Sequence, residues 1–284
     1  KCLFCLLFNS IEFFLFLPTL FVLYWFVFNN NLRVQNALIL VGSYLFYGWW
    51  DYRFLFLIFL STIVDYIIGL KIPKQNSDKK QKLLLWCSVL FNLGVLGFFK
   101  YYNFFVDSWI GLFQSVGYEI KSVWTLNIIL PVGISFYTFQ TMSYTIDIYK
   151  KKLDPTKDFI SFASFVSFFP QLVAGPIERA TNLLPQILKK RKFKYEHGVQ
   201  GLRLILWGMF KKVVIADSLA PMVDDIFANY QDFGGGILLL GAIYFAFQIY
   251  CDFSGYSDIA IGTSKLFGFE LMSNFKVPYL SRNI

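Results

Sequence analysis

Long apolar runs alternate with short polar, mostly basic breaks along this chain. Residues 11–28, 36–50, 54–70, 83–99, 126–148 and 234–250 are each dominated by Phe, Leu, Ile, Val, Tyr and Trp. A helix that crosses the hydrocarbon core of a bilayer needs about 20 mainly apolar residues, with a range of roughly 17–25. Most of these runs reach or approach that length and are predicted to be membrane spans. Pro18 lies inside the first, which is tolerated in a membrane helix when neighbours re-satisfy the backbone. The second ends in YGWWDY, an aromatic cluster suited to the headgroup level. Residues 101–125 are mixed, with Phe and Trp at irregular helical spacing beside Asp107 and Glu119, and predict an interfacial helix lying along the outer surface. Pro131 and Gly133 are expected to bend the 126–148 run.

Two segments fit the pattern less simply. Residues 159–177 have basic residues on both sides, so the segment should enter and leave on one face. Within it FFPQLVAGPIERA carries Pro170, Gly175 and Pro176, which break helices where the chain would turn. Irregular backbone at membrane depth is tolerated only when buried in protein or lining a wet cavity. A re-entrant segment at a functional site is the preferred reading, and an ordinary short span is the alternative. Residues 201–220 are apolar but interrupted by Arg203, Lys211 and Lys212, which leaves open an interfacial helix or a span packed against protein.

Composition excludes a soluble domain. Charged residues make up 15% of the chain, against roughly 25% in soluble proteins, and too few polar side chains remain to cover a water-exposed surface. Aromatic residues reach 21%.

The net charge of +8 would suit a nucleic-acid binder, but its distribution argues against nucleic acid. KIPKQNSDKKQK (71–82), KKKLDPTKD (150–158) and KKRKFK (189–194) hold 14 (5 + 4 + 5) of the 26 basic residues, beside apolar runs. That is the positive-inside pattern, and it places all three breaks in the cytoplasm and the start of the first span outside. Contact with anionic lipid headgroups is a further role open to them. Asp224, Asp225 and Asp232 mark an outer loop.

The four cysteines make no framework. Cys2 and Cys5 form a CxxC in an apolar run with no His or second pair nearby, and read as lipid-facing or packing residues; Cys87 and Cys251 are isolated. KCLFCLLF is not read as a signal peptide, because no small-residue cleavage site separates it from the first span. No repeat of 20–50 residues is visible.

Ionisable groups inside membrane spans are costly and mark function. Asp65, Asp252 and Asp258 are the clearest cases; Asp65 is also readable as a helix-end group reaching headgroups. Asp147 lies close enough to Lys150–Lys152 for an interfacial ion pair. Asp252 and Asp258 share one segment with Ser254, Tyr256, Ser257 and two glycines, preceded by Gln248, and this concentration of polar groups predicts a water-accessible cavity. Gln171, Gly175, Pro176, Glu178 and Arg179 of the broken segment are the other candidates to line it. His197, the single histidine, sits beside a basic loop without metal-ligand spacing and reads as a solvated cytoplasmic residue, so no metal site is expected. No G-x-S-x-G, Walker-type loop or G-x-G-x-x-G occurs, and Gly234–Gly236 reads as a turn. From the residues alone, a multi-span protein with a polar, broken-helix centre fits transporters as well as membrane enzymes.

LFNSIEFFLFLP (7–18), SYLFYGWWDYRFL (43–55), ILPVGISFYTFQTMSYTIDIY (129–149), FFPQLVAGPIER (168–179) and QIYCDFSGYSDIAIGTSKLFGF (248–269) resemble the membrane-bound O-acyltransferases. The nearest subgroup holds the alginate O-acetyltransferase membrane subunit and its relative in teichoic acid D-alanylation. The resemblance runs in order from residue 7 to residue 284. It implies an all-α helical bundle around a tunnel or funnel in a bacterial inner membrane. It also implies O-acyl transfer, O-acetyl transfer first, to hydroxyls of an extracytoplasmic polysaccharide, directly or through a partner protein. The donor implied is an acyl-CoA or an acyl-carrier thioester brought by a cytoplasmic protein, with no bound cofactor. The family's base is a histidine in an EFWRRWHIS-like stretch that would follow NFKVPYLSRNI (274–284), and it is expected after Ile284. No catalytic residue is therefore assigned within 1–284, and His197 does not take the role. Residues 1–284 read as one transmembrane domain, the N-terminal part of a longer acyltransferase. A transporter or flippase is the alternative.

Overall fold

The computed structural model describes residues 8, 10–116, 131, 133–172, 175–275, 279 and 281. Among them every regular element is helical. Helix α1 (Ile11–Val22) runs through Pro18 into a π-helical turn at Leu23–Val27. Helices α2 (Leu32–Asp51), α3 (Leu55–Lys71) and α4 (Asp78–Ser115) follow, then α5 (Ile134–Tyr149). Three stretches, Leu32–Lys74, Asp78–Ser115 and Gly235–Leu266, are long and apolar enough to cross a membrane. Their large side chains point outward: Phe105, Trp109 and Leu239 are about two-thirds exposed. In water that would be a liability; in lipid it is the expected outer surface.

One span boundary differs from expectation. Helix α4 continues unbroken through residues 101–115, in place of a separate interfacial helix. Its 38 residues rise about 57 Å, well beyond a hydrocarbon core of about 30 Å. Lys100 alone does not stop a helix, and no proline follows it before Ser115. The remainder of the 101–125 expectation lies largely outside the described residues, as do Cys2, Cys5 and residues 126–130. Ile284, after which the family's histidine is expected, also lies outside the described residues. Gly133, at φ 75°, ends the turn before α5; a Cβ there would fall 2.4 Å from the Leu172 carbonyl oxygen.

The most buried part of the molecule is the segment read as broken. Helix α6 (Phe159–Val166), the single turn α7 (Phe169–Leu172) and α8 (Ala180–Leu188) are separated by irregular backbone. Phe162, Phe165, Val166, Phe168, Phe169, Leu172 and Leu183 are all fully buried. The eight residues of α6 rise only about 12 Å, too little to cross. Asn36 shows that the segment returns: its Nδ2 donates to Ser161 Oγ at the start of α6 (3.0 Å) and to the Ile187 carbonyl at the end of α8 (3.1 Å). The start of α6 and the end of α8 thus meet at one side chain, so the chain has returned to its starting side ten residues beyond the 159–177 segment expected to be re-entrant.

The same end of the molecule collects the basic breaks. Arg191 donates to Asn36 Oδ1 (2.6 Å) and to Ile187 O (3.1 Å), and Tyr66 near the end of α3 donates to Lys157 O (2.6 Å). Trp25 Nε1 donates to Leu266 O (2.9 Å), which brings the last turn of the final long helix to this face.

A polar network joins α3, α4 and α5. Asp65 accepts from Ser88 Oγ (2.5 Å) and Asn92 Nδ2 (2.7 Å). Ser61 and Thr141 donate to Asn92 Oδ1 at 3.0 and 3.1 Å. Asp65 is fully buried and about 9 Å, six residues, from the end of α3, so it is not a headgroup-reaching group; Ser88 and Asn92 replace the water it left. Asp147 also departs from expectation. It is buried, makes no ion pair among the described residues, and its Oδ2 has no hydrogen-bond partner there, because α5 turns it inward, away from Lys150–Lys152.

The open question at 201–220 resolves as packing against protein. Helix α9 (Tyr195–Met209), a π-helical stretch (Phe210–Ala216) and α10 (Asp217–Ala228) form one rod, and α11 (Gly235–Leu266) runs back along it. Four glycines set the contact. A Cβ on Gly208 would lie 2.5 Å from Gly255 O, and one on Gly262 would lie 2.5 Å from Gly201 O. Both helices carry their glycines seven residues apart, so the backbones touch at two successive levels, the small-residue packing that membrane helices favour.

Two outcomes are expected. In a cysteine-free background, cysteines at Lys79 and Asp154 resist an impermeant thiol reagent in intact cells and one at Asp225 is labelled; labelling at position 79 from outside overturns the assignment of the basic face to the cytoplasm. Gly262→Ala lowers stability in detergent by about 1–3 kcal/mol, the usual range for overpacking, whereas Gly97→Ala, with open space around it, leaves the unfolding temperature unchanged or slightly raised. Equal effects of the two substitutions would contradict the close crossing.

Candidate functional site

The two groups of candidate residues come from neighbouring elements. Helix α7 packs against α11, and the chain just beyond α11 is tied to α8. Phe168 and Phe269 meet edge to face with ring centroids 5.0 Å apart, as do Phe169 and Phe267 at 6.0 Å. Gln186 Nε2 donates to Glu270 O (2.9 Å) and its Oε1 accepts from Glu270 N (2.8 Å).

Within the broken segment, Gln171 is buried with its Oε1 unpartnered among the described residues. Gly175 lies against the backbone of Gln171, where a Cβ would come within 2.4 Å of Gln171 Cα, and Pro176 is buried beside it. Glu178 is almost fully buried. Its carboxylate accepts from Asn182 Nδ2 at 2.7 Å and from the Met272 backbone N–H. Arg179 is exposed.

On α11 the acidic candidates have cationic partners that sequence reasoning treats only as interruptions. Lys211 Nζ pairs with Asp258 Oδ2 at 2.5 Å and donates to Ser254 Oγ at 2.6 Å. Lys212 Nζ pairs with Asp252 Oδ1 at 2.7 Å and Asp217 Oδ1 at 2.8 Å. It also stands 5.2 Å from the ring centroid of Tyr256. Gln248, one turn before Asp252 on α11, is half-buried with an unpartnered Oε1 among the described residues. Both lysines lie in the π-helical stretch Phe210–Ala216, a form that recurs at functional sites. Counting along α11, Asp258 and Asp252 lie about 12 and 21 Å from its end at Leu266, at a depth where charges persist only in pairs. Ser254 and Asp258 lie four residues apart, on one helical face, so a single ammonium with three donors serves both. A Lys-Lys pair inside an apolar helix, read together with acids inside another, was the available signal for this pairing.

The histidine is elsewhere. His197 Nε2 lies 3.7 Å from Glu270 Oε1, at the start of α9 beside the 189–194 basic break. Among the described residues no group of three or more His, Cys, Asp or Glu side chains could hold a metal ion. A groove of about 510 Å³ between α1 and α2 is lined by apolar residues such as Leu15, Leu38 and Trp49 and contains none of the candidates. Chemically, the contact of the π-helical stretch and α10 with α11 holds two ammonium groups, three carboxylates, a hydroxyl and a phenol.

No family model matches the chain. It is similar to the probable alginate O-acetylase of Azotobacter vinelandii, with 42% identity over 278 residues, covering 97% of this chain and 54% of that protein. It is also similar to the peptidoglycan O-acetyltransferase of Helicobacter pylori, with 34% identity over 99% of this chain and 58% of that one. A more distant likeness, 29% identity over 161 residues, covers 54% of this chain and 38% of the teichoic acid D-alanyltransferase of Streptococcus thermophilus. The chain thus spans about half the length of the curated relatives it matches. With helical spans throughout the described residues and nearly all of its length aligned to named acetyl-transferring proteins, the chain belongs to the membrane-bound O-acyltransferase family.

Proposed function

We propose that the protein carrying this chain transfers an acyl group, an acetyl group first of all, to hydroxyls of an extracytoplasmic polysaccharide, acting as a multi-pass enzyme of a bacterial inner membrane. The observation that carries this reading is the similarity, over 97% of the chain, to a protein named alginate O-acetylase. The peptidoglycan O-acetyltransferase supports a polysaccharide acceptor. A transporter or flippase finds no counterpart among these relatives.

The donor proposed is a thioester, an acyl-CoA or an acyl group on a cytoplasmic carrier protein. In the transfer the acceptor hydroxyl oxygen bonds to the acyl carbon, the carbon–sulfur bond breaks, and the hydroxyl proton passes to a base and from it to the departing sulfur, which leaves as a thiol. An extracytoplasmic partner that hands the acyl group to the polymer fits the same chemistry. Residues of the broken segment and of α11 contribute the walls: Gln171, Glu178, Gln248 and the Lys211–Asp258 and Lys212–Asp252 pairs supply polar atoms at depth. The base is a histidine beyond Ile284 in this reading. His197 does not fill that role, since it sits on the basic face beside Glu270, 14 residues or about 21 Å along the helical rod from Lys211. A positioned base contributes about 10²–10⁴-fold, so its removal is easily read.

The test uses the gene product that carries this chain, in cells, with O-acetyl groups on the exported polysaccharide as the readout. His197→Ala is expected to keep at least about half of wild-type activity, because a base would cost at least about a hundredfold. Gly175→Leu is expected to lose about tenfold or more while still reaching the membrane, since its side chain must displace the Gln171 backbone. A folded but inactive His197→Ala protein, or full activity in Gly175→Leu, would sink this assignment.

A further inference from the structure

A second polar site lies on the basic face, apart from the contact of the π-helical stretch with α11. The π-helical end of α1 and the stretch of chain at 190–193 border a half-open cavity of about 410 Å³. Its wall is built rather than incidental. Phe193 is wedged between Phe21 and Trp25, with ring centroids 5.9 and 5.6 Å away. Trp25 is itself held by its bond to Leu266 O (2.9 Å). Lys190, Arg191 and Lys192 line the cavity from one side, and Phe26 and Asn29 from the other.

The charge on this wall has no counter-ion among the described residues. None of Lys190, Arg191 and Lys192 forms an ion pair there. Arg191 is 5% exposed. It spends its donors on neutral oxygens, Asn36 Oδ1 and the Ile187 carbonyl, and its Nε is buried with no partner among the described residues. Its guanidinium stands 4.8 Å from the Phe269 ring centroid and 5.6 Å from that of Tyr24. Cation–π contacts help a buried guanidinium but do not cancel its charge. Uncompensated cations beside exposed aromatics call for an amphipathic anion. Phe26, 77% exposed, belongs to an apolar helix and continues the wall toward lipid.

We propose that this cavity binds an anionic phospholipid of the adjoining leaflet, its phosphodiester against Lys190, Arg191 and Lys192 and the upper part of an acyl chain along Phe21, Phe26 and Phe193. Basic pockets at the cytoplasmic ends of membrane helices hold such headgroups. The lipid closes the seam between the start of the chain's helical bundle and the exit of its re-entrant segment, because Arg191 also holds the Asn36 node. A soluble phosphate compound, inorganic phosphate or coenzyme A, offers the same anion without the acyl chain, and the aromatic wall favours the lipid.

The experiment is native mass spectrometry of the purified protein that carries this chain, from mixed micelles with equal dioleoylphosphatidylglycerol and dioleoylphosphatidylcholine. Wild type is expected to retain one phosphatidylglycerol in preference to phosphatidylcholine. The double variant K190Q/K192Q, altered only at exposed lysines, loses retention about fivefold or more, while K79Q/K80Q on another basic break stays within about twofold. Added inorganic phosphate or coenzyme A leaves the retained lipid in place. Equal retention of the two lipids, equal losses in the two double variants, or displacement of the lipid by either soluble phosphate compound would overturn the proposal.

Discussion

Hydrocarbon offers no hydrogen bond, and that constraint organises this chain. Each polar group carried into the bilayer must find its partner in another part of the protein. Where partners lie far apart in sequence, the bond that satisfies the group also fixes the fold. Asn36 joins α2 to both ends of the re-entrant segment through Ser161 and Ile187. Asp65 joins α3 to α4 through Ser88 and Asn92. Lys211 joins the π-helical stretch to α11 through Asp258 and Ser254. Apolar contact alone is a weak guide to helix pairing in lipid, because the tails are as apolar as the side chains; these few polar bonds and the glycine crossings choose the neighbours.

The same constraint explains why the least regular backbone is the most buried. The breaks around Ser167–Phe168 and Gly175–Pro176 leave backbone groups outside any helix, and these survive because α2, α5, α8 and α11 surround them. Ser43 Oγ accepting from Phe169 N (3.1 Å) and Gln140 Nε2 donating to Phe165 O (2.6 Å) show side chains taking the place that water holds elsewhere. Irregular backbone walled by protein keeps its polar groups paired without exposing them to lipid.

Much of the architecture was legible in the chain because the bilayer imposes length and charge rules that act locally. The spans of α2 and α3 and the start of α11 followed from apolar length, the common face of the three basic breaks from Lys and Arg placement, and the re-entrant segment from Pro170, Gly175 and Pro176 between basic flanks. What was not legible depended on pairing at a distance. Asp65 read as a headgroup-reaching residue because nothing near it in sequence announces Ser88 and Asn92. Residues 201–220 stayed undecided because Lys211 and Lys212 look intolerable until Asp258 and Asp252 stand opposite. Continuation of α4 past Lys100 was missed for a different reason: mixed polarity marks exposure to water, not the end of a helix.

Whether the buried charges persist because they are paired can be read from a double-mutant cycle on Lys211 and Asp258. Asp258→Leu is expected to lower the stability of the purified protein by about 3–5 kcal/mol, since it strands the buried Lys211 ammonium, and Lys211→Met by less, since the Asp258 side chain is 21% exposed. The double variant, with neither charge, recovers most of that loss and folds with an unfolding temperature near wild type. Single-variant losses that simply add in the double variant would contradict the pairing, and with it the claim that polar partners select the helix neighbours of this fold.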